Sequence, residues 1–186
     1  MAHPLDGSCR AWHRRLVAHD AARTVFTRFI TPVSADDRAG RWQRYFARWN
    51  CATQPRLPPG ALDIVSPLAR FIPPATVIDK PGYSAFFAST LQSFLAEKNI
   101  NTLIISGSET DVCVLATVLD AVDRGFRVIV VEDGLLQLIQ SGARCLDDAL
   151  SDALHRSDRV AHARCGPRTL AGSSVTASGT FAKGRP

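Results

Sequence analysis

The sequence predicts an α/β fold with a mostly parallel sheet, and two sets of residues carry that expectation. The first is the stretch Thr102 to Asp133, TLIISGSETDVCVLATVLDAVDRGFRVIVVED. Its apolar run Leu103-Ile104-Ile105, bounded by Asn101 and Gly107, reads as a buried parallel strand. After the turn Gly107-Ser108-Glu109-Thr110, apolar residues recur at Val112, Leu115, Ala116, Leu119 and Val122, the spacing of a helix. Gly125 ends that helix and Phe126 to Val131 forms the next strand, so the unit is βαβ and right-handed by rule. The second set is the strand-like runs RTVFTRFI (23–30) and Thr76-Val77-Ile78, rich in β-branched and aromatic residues. Strands separated by helices give a parallel sheet.

Taken from the start, Trp12 to Ala22 is a short helix candidate with Leu16 and Val17 as its apolar contacts. Thr31-Pro32 closes the Arg23–Ile30 strand. In GRWQRYFARWN, Trp42, Tyr45, Phe46 and Trp49 fall at helical spacing, with Arg38, Arg41, Arg44 and Arg48 among them. Such a helix packs an aromatic face on the core, or serves as a lid or pocket wall over the strand ends. Pro58-Pro59-Gly60 and Pro73-Pro74 break the chain around a short helical or irregular piece, Leu62 to Phe71. Ala75 to Asp79 is a brief strand ending at Lys80, and Phe86 to Lys98 an amphipathic helix carrying Phe87, Leu91, Phe94 and Leu95. Gly134 to His155 is read as helical and Val160 to Cys165 as a last strand. From Gly166 on, Gly, Ser, Thr, Ala and Arg dominate, which predicts a disordered tail over 166–186 after a single domain over 1–165.

Composition excludes several functions. The hydrophobic fraction of 46% and charged fraction of 21% are those of an ordinary soluble protein. The net charge of +5 is spread without a dense Lys/Arg block, which argues against nucleic acid as a partner. No apolar run has the length of a membrane span, and MAHPLDGSCR lacks a signal-peptide core. Five scattered cysteines form neither a disulfide framework nor a CxxC metal pattern, so a reducing cytoplasm is the expected compartment.

Cys113 is the first chemical candidate. It lies in the opening turn of a helix, just past the C-terminal end of a strand, where open α/β sheets place their sites. Unpaired N–H groups there stabilise a thiolate, and Thr110 and Asp111 both fit the N-cap. A buried structural cysteine is the competing reading. Lys80 ends another strand on the same rim, placed to lower a thiol pKa or hold a negative intermediate; a solvated strand-end lysine is its alternative. With no histidine between His19 and His155, a Cys-His dyad has little support. Backbone N–H groups of GSETDVC lie beside the sulfur as candidate oxyanion donors.

At SGSETDVCVLATVLDAVDRGFRVIVVED and IDKPGYSAF the chain resembles the isochorismatase-like cysteine hydrolase superfamily, which includes nicotinamidases and carbamoylsarcosine amidohydrolase. VFTRF is similar to that family's second strand, and the likeness is clearest over 23–133. The resemblance implies a three-layer α/β/α fold and a Cys-Asp-Lys triad, with Cys113 as nucleophile and Lys80 as basic partner. It implies an oxyanion hole from the N–H groups of Glu109 and Cys113, and a cis peptide at Ser108-Glu109. The implied reaction is thioester-forming hydrolysis of a small amide-type substrate. No cofactor or metal is expected: residues 24 to 80 contain no histidine, whereas the family's nicotinamidases carry an Asp/His metal cluster there. A homo-oligomer is a further expectation.

One departure stands out. The family aspartate ends an apolar first strand closing on Asp-x-Gln, and this chain shows no such run. Asp6 follows no strand, and Asp20 lies at the N-terminal end of the Arg23–Ile30 strand, so neither takes the role. The fold is therefore expected to lack the first strand. The alternative function is a non-catalytic family member or truncated fragment acting as an assembly or binding partner.

Overall fold

A computed structural model describes residues 7–136, 160–163 and 175–177. Helix α1 (Gly7–His19) leads through a 3₁₀ turn into strand β1 (Thr24–Phe29). Helices α2 (Gly40–Arg48) and α3 (Ser66–Ala69) precede β2 (Thr76–Lys80). Then come α4 (Leu91–Glu97), β3 (Thr102–Ser108), α5 (Leu115–Asp123) and β4 (Arg127–Leu136), with β5 (Val160–Ala163) and β6 (Val175–Ala177) last.

The six strands form one sheet in the order β2-β1-β6-β3-β4-β5. β1 is parallel to β2, β3 to β4 and β4 to β5, while β6 is antiparallel to both β1 and β3. Two antiparallel steps restore direction, so every strand except β6 points the same way. All five therefore share one C-terminal rim.

Period-two alternation divides the core between the faces of this sheet. Val25 and Ile78 join Leu91, Leu95, Leu103, Ile105, Val118, Val128 and Val130 in the larger cluster, which α4 and α5 cover. Their neighbours Phe26 and Val77 point the other way, to Val17 of α1 and Leu68 of α3. Helices thus cover both faces, in agreement with the three layers expected.

Several boundaries differ from the sequence reading. α1 begins before Trp12 and ends at His19, because Asp20 turns outward to accept a hydrogen bond from the Arg23 N–H at 3.2 Å. The helix expected from Phe86 starts at Leu91. Ala88 has φ of +45° and the Ser89 hydroxyl accepts from the Leu91 N–H, which interrupts helical bonding there. Gly134 to Leu136 is strand rather than helix: Leu135 and Leu136 pair with Gly107 and Ser108. The rest of that expected helix, from 137 on, lies outside the described residues, as do residues 164–165 of the expected last strand. In the tail read as disordered, Val175–Ala177 forms β6, satisfying backbone groups of Thr24, Val25, Leu103 and Ile104. Among the described residues no strand precedes Thr24, and β6 fills the position between β1 and β3.

Candidate active site

Lys80 is the last residue of β2 and pairs in register with Phe29, the last of β1. The solvated reading of this lysine does not hold, since it is only 4% exposed. Its Nζ donates to the carbonyls of Gly82, at 3.2 Å, and of Tyr83, and lies 6.0 Å from the centre of the Phe29 ring. No carboxylate pairs with it among the described residues. Burying an ammonium is costly, and here carbonyl dipoles and a ring face compensate it in place of an anion.

Trp42 roofs this corner. Its ring centre is 6.4 Å from Phe29 and 5.3 Å from Tyr83, with Phe46 stacked at 5.9 Å. The aromatic stripe of α2 is only partly docked, since Tyr45 and Trp49 are exposed. Phe46 is buried in the packing, while Trp42 stacks on it and packs against Phe29 and Tyr83.

Cys113 follows β3 in a π-helical turn, Thr110–Val114. The Val114 N–H reaches back five residues to the Glu109 carbonyl at 3.0 Å. Neither Thr110 nor Asp111 is the N-cap; Glu109 holds that position without a side-chain hydrogen bond. Cys113 is a free cysteine and only half-buried, unlike a fully buried core cysteine. The Ser108–Glu109 peptide is cis, as the resemblance implied. Glu109 and Cys113, the two expected oxyanion donors, stand at the start of this turn and near its end.

Three strand spacings separate β2 from β3, about 14 Å, so the strands alone do not bring lysine and cysteine together. The loop after Lys80 is instead hydrogen-bonded to the helix that follows the cysteine turn. The Ala85 N–H donates to the Thr117 hydroxyl at 3.0 Å, and that hydroxyl donates to the Cys113 carbonyl at 2.7 Å. One residue earlier, the Ser84 hydroxyl donates to Asp120 at 2.6 Å, and Asp120 also holds Arg124 at 2.6 Å. The segment bearing Lys80's carbonyl partners is thus fastened along the helix bearing Cys113.

Two other carboxylates near β1 and β2 are paired with arginines. Asp20 caps the 3₁₀ turn before β1 and pairs with Arg23, at the rim opposite Lys80. Asp79 forms a two-bond pair with Arg28 at 2.7 and 2.9 Å. That hydrogen bonding raises the Arg28 pKa, with desolvation opposing it. Asp6 lies outside the described residues, and β6, between β1 and β3, contains no carboxylate.

Sequence reasoning missed Thr117 and Ser84. The only local signal for Thr117 was its i+4 spacing from Cys113, from which a threonine hydroxyl reaches back to a carbonyl. Its second partner, Ala85, is 32 residues away and has no local signature.

The fold and site define a class: α/β proteins with a buried lysine at the end of one parallel strand and a cysteine-bearing helical turn after another. The isochorismatase domain family matches residues 11–143, and the chain belongs to that family. It is 38% identical over 65 residues to an uncharacterised isochorismatase family protein of Bacillus subtilis, covering 35% of this chain and 36% of that protein. With a ureidoacrylate amidohydrolase of Methylorubrum extorquens it shares 35% over 107 residues, 54% of this chain and 38% of the relative. The chain thus spans little more than a third of these curated relatives. In fold it is similar to N-carbamoylsarcosine amidase from Thermoplasma acidophilum, with TM-score 0.65 at 21% identity, covering 88% of this chain and 86% of that one.

Proposed function

We propose that this chain is a hydrolase of small amide-type substrates in which the Cys113 thiolate is the nucleophile. The observation that carries the reading is the hydrogen-bond chain Ala85–Thr117–Cys113, which fastens the Lys80 loop to the cysteine turn. The amidohydrolase and amidase names among its relatives support an amide-type substrate.

In the proposed mechanism the sulfur attacks the amide carbonyl carbon, and the carbon–oxygen π electrons move onto oxygen. The N–H groups of Glu109 and Cys113 donate to that oxyanion. Collapse of the tetrahedral intermediate breaks the carbon–nitrogen bond, and the nitrogen leaves as an amine after taking a proton. Water then attacks the thioester, releasing a carboxylic acid and restoring the thiol. Lys80 contributes fixed positive charge that favours the thiolate. In this scheme the thiol gives its proton to solvent and the leaving nitrogen takes one from solvent.

A second reading, a non-catalytic family member acting as a binding partner, is favoured by the lack of a carboxylate between β1 and β3 among the described residues.

Iodoacetamide labelling of Cys113 across pH separates the two. An ordinary thiol titrates near pKa ~8.5. The hydrolase reading expects Cys113 to label faster than a free cysteine at neutral pH, with Lys80→Ala slowing it. It also expects release of amine from small amides, abolished by Cys113→Ser. Labelling like that of a free thiol, unchanged in Lys80→Ala and without turnover, leaves the binding-partner reading.

A further inference from the structure

A pocket of about 320 Å³ opens between the loop after β1, the end of α2 and the 3₁₀ turns over 50–56. Neither Lys80 nor Cys113 lines it, and the proposed hydrolysis makes no use of it. Its walls are tied to each other: the Gln54 N–H donates to the Pro32 carbonyl at 2.9 Å, and the Gln54 side-chain amide to the Thr31 carbonyl at 2.5 Å. The cleft is thus preformed, as small-molecule sites usually are.

Part of the lining is apolar. Phe46, 1% exposed, and Pro55 lie in it, with Val33, 59% exposed, beside them. A cavity of ~150 Å³ already admits benzene, so this one has room for a ring with a substituent. The polar part is rich in donors. The Thr53 hydroxyl lies 2.7 Å from the Asn50 carbonyl and 3.2 Å from its Oδ1, which leaves the Asn50 side-chain NH2 without an acceptor among the described residues. The Ser34 hydroxyl accepts from the Asp36 N–H at 3.3 Å, and its own hydrogen has no acceptor there either. Arg56 pairs with no carboxylate among the described residues. All three of these donor residues line the pocket.

Charge points the same way. Residues 38–62 hold five arginines and no aspartate or glutamate, which leaves 17 of the 22 basic residues to balance all 17 acidic ones elsewhere. The net charge of +5 therefore belongs to the segment that forms α2 and the 50–56 wall. Asp36 and Asp37, near the opposite wall, are engaged: Asp37 accepts from the Ser34 N–H at 2.7 Å and Asp36 from the Gln43 amide at 3.0 Å. A cleft in a field of one sign concentrates counter-ions.

We infer that this pocket is a second ligand site, and that its ligand is a small organic phosphate carrying one apolar ring. The ring packs on Phe46 and Pro55. The terminal oxygens of a phosphate monoester accept from Ser34, Asn50 and Arg56, and its charge suits the local excess of arginine. The inference does not depend on the hydrolase reading. Water on the three donors is the competing state, and it selects no ligand.

Calorimetric titration of the full chain tests the site, with phenyl phosphate as the probe beside inorganic phosphate and phenol. Phenyl phosphate is expected to bind about tenfold or more tighter than either, because only it offers both ring and anion. Arg56→Met should weaken it about tenfold or more, the usual loss for a hydrogen bond between charged groups. Ala47→Leu, at a helix position that lines the pocket, should abolish binding by filling the space. Both residues are exposed, so the urea midpoint should not move and the loss reports the pocket. Cys113→Ser should bind the probe as the parent does. No binding of phenyl phosphate, binding no tighter than that of inorganic phosphate or phenol, binding that survives both pocket substitutions, or binding lost in Cys113→Ser overturns the site.

Discussion

Replacing Thr117 with valine keeps the shape of the side chain and removes the hydroxyl that joins the two halves of the candidate site. Thr117 is 5% exposed, so water does not readily replace the lost group. Two hydrogen bonds disappear, from Ala85 at 3.0 Å and to Cys113 at 2.7 Å. Each contributes about 1 kcal/mol net, and the stranded Ala85 N–H costs at the upper end of that range. The expected loss is therefore about 2 kcal/mol, or roughly 4–8 °C in Tm for a chain of this size. Thr117→Ser keeps the hydroxyl and should recover most of the hydrogen-bond part. Urea unfolding measures the energy, and iodoacetamide labelling reports whether the Cys113 turn has moved relative to Lys80. If Thr117→Val unfolds within about 0.5 kcal/mol of the parent and labels Cys113 at an unchanged rate, the proposed coupling is wrong.

Two other substitutions test the surroundings. Phe46, 1% exposed beneath Trp42, anchors α2, and Phe46→Ala should cost about 3–4 kcal/mol by chemical denaturation; a loss under about 1 would mean that α2 is not docked as described. Arg28→Met removes the pair with Asp79, whose side chains are 31% and 48% exposed, so solvent screening holds its cost to about 1 kcal/mol or less. Hydrogen bonding to Asp79 raises the Arg28 pKa above its already high ordinary value, so the guanidinium's contribution is fully present below the unfolded-state value and lost only in strong alkali. Urea unfolding should accordingly give the same cost at about pH 6 and about pH 9, and a marked difference between them would point to another titrating partner.

Much of the fold was legible because local pattern and tertiary role coincide. Leu103, Ile105, Val128 and Val130 read as buried strand and lie in the main core; Val118 and Ala121 belong to the helix that packs upon them. The placement of Lys80 at the end of β2 and of Cys113 in the turn after β3 was legible from the bounds of the apolar runs. What could not be read depended on partners distant in sequence. The extension of β4 through Gly134 to Leu136 exists only because β3 offers Gly107 and Ser108 after a register shift between Ile105 and Gly107. The short strand Val175–Ala177, in a stretch whose composition predicted disorder, exists because β1 and β3 leave backbone groups to be paired. The late start of α4 turns on the left-handed Ala88, which hydrophobic spacing does not encode.

The sequence by itself determined the α/β class, the strand–turn–helix around Cys113 and the place of Lys80 at a strand end. These depend on periodicity and on the conformational demands of short runs, which act over a few residues. Only the tertiary structure decided that Lys80 is buried against Phe29 and two carbonyls, that Trp42 packs on Phe29 and Tyr83, and that Thr117 ties the loop after Lys80 to the cysteine turn. It likewise decided that Arg38 reaches the end of β1 without a carboxylate partner among the described residues. Burial and hydrogen-bond satisfaction are properties of what surrounds a group, and here those surroundings come from segments that meet only when the sheet is assembled.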